Sequence, residues 1–157
     1  SGLYLLIREA RMRIRGGAKL SAVAREICAL RKRVRMCFSV DDMTPLRRSG
    51  RLGNVRMSIS TVLNIKPILE LRDGAIVSTA LARGRVEQAR RLSNFCQGVS
   101  GDIVINSFLA DDAAARLSVQ LAGDGRQIER RKVGPVLGAH LGAGCVGVCY
   151  IEREDKR

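Results

Sequence analysis

A single histidine, His140, stands in the stretch VLGAHLGAG, with Gly138, Gly142 and Gly144 around it. Three chemistries are open to such a residue. As a general base it needs a nucleophile within hydrogen-bond reach, and no Gly-x-Ser-x-Gly turn presents one. As a metal ligand it needs partners at paired spacing, whereas Cys28, Cys37, Cys96, Cys145 and Cys149 contain no Cys-x-x-Cys pair. The third is hydrogen bonding to an anion, because glycines permit close backbone approach and leave amide N–H groups free to form an anion-binding nest. The same glycines also build tight turns that bind nothing, and both readings stand. No phosphate-cradling Gly-x-x-x-x-Gly-Lys loop occurs, and neither a metal nor a cofactor is expected.

Arginines supply a second set. Arg51, Arg56, Arg83 and Arg85 flank glycine-containing turns, where a guanidinium presents a planar fork to a carboxylate or phosphate. Each one also reads as an ordinary surface charge. In total 28 Lys and Arg face 15 Asp and Glu, a formal charge of +13. That excess admits a basic nucleic-acid-binding module whose affinity falls steeply with salt. Aromatic residues make up only 3% of the chain, so stacking platforms for single strands are scarce.

These residues must be held by a mixed α/β fold. Leu3, Leu6, Ile7, Ala10 and Ile14 recur at helical spacing and predict a first helix facing inward along that stripe, stopped by Gly16 and Gly17. Ser21 then reads as the N-cap of a second helix running to Val34, with Val23, Ile27 and Leu30 inward. RMCFSVDD alternates as a strand, Thr44 and Pro45 fit the cap and first turn of a short helix, and SISTVLNI can make one or two helical turns. KPILELRDGAIVSTALA has two extended runs joined at Asp73-Gly74, a hairpin signal. A helix after Gly84 is expected to turn Val86, Ala89, Leu92, Phe95 and Cys96 inward. Then come a strand DIVINSFL, a helix from Asp111 or Asp112 to Gly123, and a polar strand through Ile128. A strand over VLGAHLGAG and an apolar strand after Gly144 end the series.

At 157 residues the chain is of single-domain size, and no apolar run approaches the roughly 18 residues of a membrane span. The N-terminus interrupts its apolar residues with Arg8 and Glu9 and lacks the pattern of a secretory signal, which predicts a cytoplasmic protein without stable membrane insertion. An odd number of cysteines in apolar settings predicts buried, reduced thiols.

Two stretches together resemble the DegV family of bacterial fatty-acid-binding proteins. PLRRSGRLGNVRMSISTVLNIKPILELRDGAIVSTALARGR is similar to the family's Gly-Gly-Arg-Ile segment with its Ile-Lys-Pro-Ile-Leu and Asp-Gly elements. VGPVLGAHLGAGCVGVCYI is similar to its Gly-Thr-His-x-Gly-Pro-Gly ending followed by an apolar strand. The chain differs at Ser49, Leu52, Ala139 and Ala143, where the family pattern has Gly, Ile, Thr and Pro.

The resemblance implies a sheet with flanking helices, the C-terminal part of a two-domain architecture whose N-terminal half is expected to be absent. Residues 1–43 would be a remnant of the N-terminal lipid-binding domain and residues 44–157 the C-terminal domain. It implies no catalytic activity. The protein would bind one long-chain fatty acid and present its carboxylate to a separate fatty acid kinase, which makes an acyl phosphate for phospholipid synthesis. By the same likeness His140 lies at the lipid head group, with Gly142 and Gly144 shaping the bend, while Arg51, Arg83 and Arg85 face the kinase. Ile59, Val62, Leu63, Ile65, Ile68 and Leu69 are candidates to line the pocket, though ordinary core packing uses the same side chains. Gly147 and Ala139 are small enough to leave room for a chain. A tail of roughly fourteen methylenes would gain on the order of 11 kcal/mol from burial before ordering costs.

Overall fold

A computed structural model describes residues 1–50, 64–122 and 126–152. Six strands form one sheet in the order β3-β2-β1-β6-β4-β5. They are β1 (Val34–Ser39), β2 (Ile65–Arg72), β3 (Ala75–Arg83), β4 (Ile103–Phe108), β5 (Ile128–Lys132) and β6 (Cys145–Ile151). Neighbours pair antiparallel except β4 and β5, which are parallel and joined by the crossover helix α5 (Asp111–Leu121). The helices before it are α1 (Gly2–Arg15), α2 (Leu20–Arg31), α3 (Thr44–Arg48) and α4 (Gly84–Asn94), and α6 (Pro135–Leu141) precedes β6. β1 is bonded to β2 on one side and β6 on the other, so a boundary at 43/44 does not separate two sheets.

Strand alternation sorts the sheet's two faces. Cys37, Ile68, Ile105, Val146 and Val148 point to one face and pack on Leu92 of α4 and Ala114 and Leu117 of α5, the larger part of the core. On the opposite face Leu5 of α1 packs against Val104 and Cys149, while Phe38, Val40 and Cys145 pack against Leu46 of α3 and Leu141 of α6.

Asp73 and Gly74 join β2 to β3 with φ of +49° and +82°, the left-handed pair a two-residue hairpin needs. The other elements follow the expected order with instructive shifts. α1 turns Leu5 and Leu6 inward, leaving Leu3 72% exposed and Ile7 and Ile14 about half exposed, because Leu5 rather than the predicted stripe seats on Val104 and Cys149. α2 begins at Leu20 with Lys19 in the cap position, one turn of chain after the left-handed Gly17, so Ser21 falls inside the first turn and is not the cap. It ends at Arg31, because Val34 is recruited into β1 opposite Ile151. At α3 the capping is done by Asp42, whose Oδ1 accepts from the Thr44 N–H at 2.8 Å. That bond holds the Asp42 carboxyl below its ordinary range.

Val86 of α4 is 68% exposed and Gln88 takes the inward place, donating from Nε2 to Ser39 Oγ at 2.8 Å. The largest departure is the segment around His140. It is helix α6, not a strand: Pro135 at the first position has a helical φ already set, and Gly138 and Gly142 N–H donate to the carbonyls of Gly134 and Gly138. Four cysteines are buried as expected, while Cys28 on α2 is exposed. Among the described residues no helix is long and apolar enough to cross a membrane. SISTVLNI up to Leu63, with Arg51, Arg56, Ile59 and Val62, and Gly123 lie outside the described residues.

Candidate functional site

The helices covering the second face leave a gap between α1 and α6. There a groove of about 450 Å³ opens onto the strands, within the range of small-ligand pockets. Met36 and Phe38 of β1 and Cys145 and Gly147 of β6 form its floor, with Leu71 and Ile76 on one side and Leu137 and Leu141 of α6 on another. Tyr4, Asn106, Arg131 and Lys132 bring polarity to its far end. A larger hollow of about 800 Å³ lies between α1, the end of α2 and the β2–β3 turn. Its walls include Arg31, Lys32, Arg35, Glu70, Arg72 and Asp73, and burying an alkyl chain there would desolvate charges. The groove is the better site for an elongated apolar molecule.

Gly147 fixes the groove's depth. A Cβ at this position would stand 2.6 Å from Phe38 Cβ and 2.7 Å from the Cys37 carbonyl oxygen, so only glycine lets β6 lie against β1 here. The polar end is tied together by charge. The Arg131 guanidinium lies 3.9 Å from the Tyr4 ring centroid, and the Tyr4 hydroxyl donates to Glu129 Oε2 at 2.8 Å. Hydrogen bonds from Arg131 and then Tyr4 hold the Glu129 carboxyl below its ordinary range. Burial pushes the Cys145 thiol up to about 12, with the Asp41 charge adding to it, so Cys145 is a neutral wall of the groove at neutral pH.

His140 is exposed on α6 and does not line the groove; its helix neighbours Leu137 and Leu141 do. Gly142 and Gly144 form a bend with φ of +77° and +82°. Of the two readings of these glycines the tight turn is the one formed: the Gly142 N–H donates to the Gly138 carbonyl and the Gly144 N–H to that of Phe108 at 3.0 Å, so neither amide is free for an anion. What the glycines admit is close packing: a Cβ on Gly142 would meet Pro45 Cγ at 3.0 Å, and one on Gly144 would overlap the Asp41 carboxylate.

Asp41 is the charged residue at this bend that the sequence did not single out. Lys66 Nζ lies 3.0 Å from its Oδ1, and Arg85 pairs with its Oδ2. Arg85 is therefore committed to Asp41 and, at 3.3 Å, to Gln88, and is not a freely projecting guanidinium. Arg83 keeps an exposed side chain, and its backbone N–H donates to Glu87 Oε2 at 2.7 Å. Asp41→Asn is expected to cost about 1 kcal/mol by leaving the Lys66 and Arg85 cations without their counter-charge, seen as a lower urea midpoint with unchanged slope. An unaltered midpoint would assign the triad no role in stability.

Of the proposed lining residues described, Ile68 is buried in the core on the sheet's other face, Leu69 is buried on the groove's own face but beneath α3, in the cluster with Leu46 and Leu141, and Ile65 is half-buried; none lines the groove. Ala139 is exposed and likewise does not line it. The actual floor was readable only in part. Met36 and Phe38 alternate in the sequence as a strand face, but which residues of β4 and β6 share that face depends on register. Among the described residues no group of His, Cys, Asp and Glu is arranged to hold a metal ion.

Sheet order, one parallel crossover and a groove on the uncovered part of one face define an open-sheet α/β domain with an apolar cleft. The chain belongs to the DegV family: a family model described as "uncharacterised protein, DegV family" matches residues 1–153. Protein DegV of Bacillus subtilis is 28% identical over 156 residues, covering 95% of this chain and 55% of that protein. The fatty acid binding DegV family protein of Streptococcus agalactiae superposes with a TM-score of 0.82 at 29% identity, over 95% of this chain and 55% of that one. The Streptococcus pneumoniae fatty acid kinase (Fak) B3 protein, loaded with linoleic acid, shares the fold with a TM-score of 0.84 at 17% identity, over 95% of this chain and 55% of that one. This chain thus spans about half the length of the curated relatives it matches.

Proposed function

We propose that this chain forms one wall of a site for a long-chain fatty acid, with the alkyl tail along the groove and the carboxylate held towards the α6–β6 bend beside His140. The observation that carries the reading is the groove itself, an apolar trough over Phe38 and Gly147 closed on one side by α6. An elongated alkyl ligand matches that shape and chemistry, and an S. agalactiae relative of the same family and fold is a fatty acid binding protein. The protein acts as a carrier without catalysis of its own. It presents the carboxyl group to a separate fatty acid kinase, with exposed Arg83 on the surface that meets it and Arg51 assigned the same part. Ion pairs weigh against a nucleic-acid-binding module: Arg8, Arg13, Arg35, Arg72, Arg85, Arg91 and Arg131 each face a carboxylate of the chain itself.

Titration of oleate into the purified protein tests this. Ile76→Asp, which sets a carboxylate into the groove wall, is expected to weaken binding by at least about tenfold, because a charge against an alkyl chain is left unsolvated. Arg83→Ala is expected to bind as wild type while slowing phosphorylation of the bound acid by the kinase. Equal binding by Ile76→Asp and wild type would remove the groove from the account. Loss of binding in Arg83→Ala would refute the separation of carrier and docking roles.

A further inference from the structure

Among the residues of β1, β4 and β6 that line the groove, Asn106 alone carries a polar side chain; the others are Met36, Phe38, Cys145, Gly147 and Val148. Register explains its position. Gly147 is paired with Phe38 on one side and Asn106 on the other, so the three stand in a row across the floor. No side chain fits at Gly147, and the row therefore has a notch at its centre, between the Phe38 side chain and the Asn106 carboxamide.

Asn106 is half-buried, and one end of its amide is used: Oδ1 accepts from Ser1 Oγ. Nδ2 has no hydrogen-bond partner among the described residues. Whichever way round the amide is turned, one of its two polar atoms meets the groove without a protein partner. Water satisfies that atom while the groove is open. An unsubstituted alkyl chain laid over the notch displaces the water and returns no hydrogen bond, whereas a hydroxyl or keto oxygen on the chain replaces it.

We infer that Asn106 is a specificity-determining residue, and that the groove prefers long-chain acids carrying an oxygen function along the chain over unsubstituted acids of the same length. The inference rests on the fatty-acid reading above and adds the class of acyl chain.

The test is a competition series: stearic acid against hydroxystearic acids with the hydroxyl stepped along the chain, measured on the wild type, Asn106→Leu and Asn106→Ala. One position in the series is expected to bind the wild type about fivefold to tenfold tighter than stearic acid, the scale of one net hydrogen bond in a partly dry site. In both variants that advantage should vanish, and in Asn106→Leu stearic acid itself should bind more tightly than to wild type. Thermal melts check that both variants fold. Binding of stearic acid with no positional preference, or a preference that survives both substitutions, overturns the assignment and leaves the fatty-acid reading standing. A uniform loss of every acid in the variants also overturns it, by putting the carboxylate itself on Asn106. Failure of the wild type to bind any of the acids overturns both readings.

Discussion

Gly147→Ala is expected to destabilise the protein by about 3 kcal/mol, and Gly147→Val to prevent its folding. Two features set the size of the effect. The nearest atoms to the new Cβ are the Cβ of Phe38 at 2.6 Å and the backbone carbonyl oxygen of Cys37 at 2.7 Å, neither of which can swing away as the tip of a long side chain can. Both belong to β1, which is held on its far side by β2, so moving it strains two ladders together. Alanine therefore has to push apart strands spaced by their own hydrogen bonds. Chemical denaturation checks the figure, and a loss below about 0.5 kcal/mol would mean that β6 can move off β1 at little cost. Because Gly147 also floors the groove, the fatty-acid proposal adds that a folded Gly147→Ala protein should bind an alkyl chain less well than wild type.

Alkali is expected to unfold the protein under reducing conditions, with stability falling from pH 9 onward. Burial pushes the thiols of Cys37, Cys96 and Cys145 up to about 12 and that of Cys149 to about 11, from an ordinary value near 9. In the folded protein these groups keep their protons at pH 10, while in the unfolded chain they ionise. The folded state then binds more protons than the unfolded one, so stability falls with rising pH. It is fully present below pH 9 and is lost progressively until the folded thiols themselves ionise, near 11 to 12. Each thiol accounts for about 1.4 kcal/mol per pH unit across that window, or ~6 kcal/mol for four by pH 10, comparable to the whole stability of many domains. Urea melts between pH 7 and 10.5 measure the slope. Replacing Cys37 and Cys149 by Ala should roughly halve it, and an unchanged slope in that variant would assign the alkaline loss to other groups.

Where local chemistry decides structure, the sequence is easy to read. Asp73-Gly74 gives the hairpin because only residues tolerant of positive φ fit there, and the alternation in RMCFSV and DIVINSF marks β1 and β4. VLGAHL reads as a strand because it is apolar and short, whereas the features that make it helix α6 are Pro135 at its start and the Phe108 ring against Gly138, where a Cβ would come within 2.5 Å. The second of these is a tertiary contact that no local pattern encodes. The family motif located the Gly142–Gly144 bend, yet the carbonyls that engage its amides belong to Gly138 of α6 and Phe108 of β4, and the Asp41 carboxylate against it is held by Lys66 of β2 and Arg85 of α4. Asn106 did leave a signal, a polar residue at an apolar-phase position of DIVINSF. Its meaning depends on which face that phase occupies, and the β4–β6 register alone settles that.

The pairing of β1 with β6 joins segments roughly a hundred residues apart. During synthesis at about 5–20 residues per second, β1 leaves the ribosome some 5–20 s before its partner exists. The β2–β3 hairpin and the β4–α5–β5 crossover need only nearby residues and can form in that interval, one on each side of the position β6 will take. Insertion of β6 between β1 and β4 is then the step that unites the two halves. Until it happens Cys37 and Ile105 stand on open strand edges, and a nascent chain in that condition is a natural client for a holding chaperone.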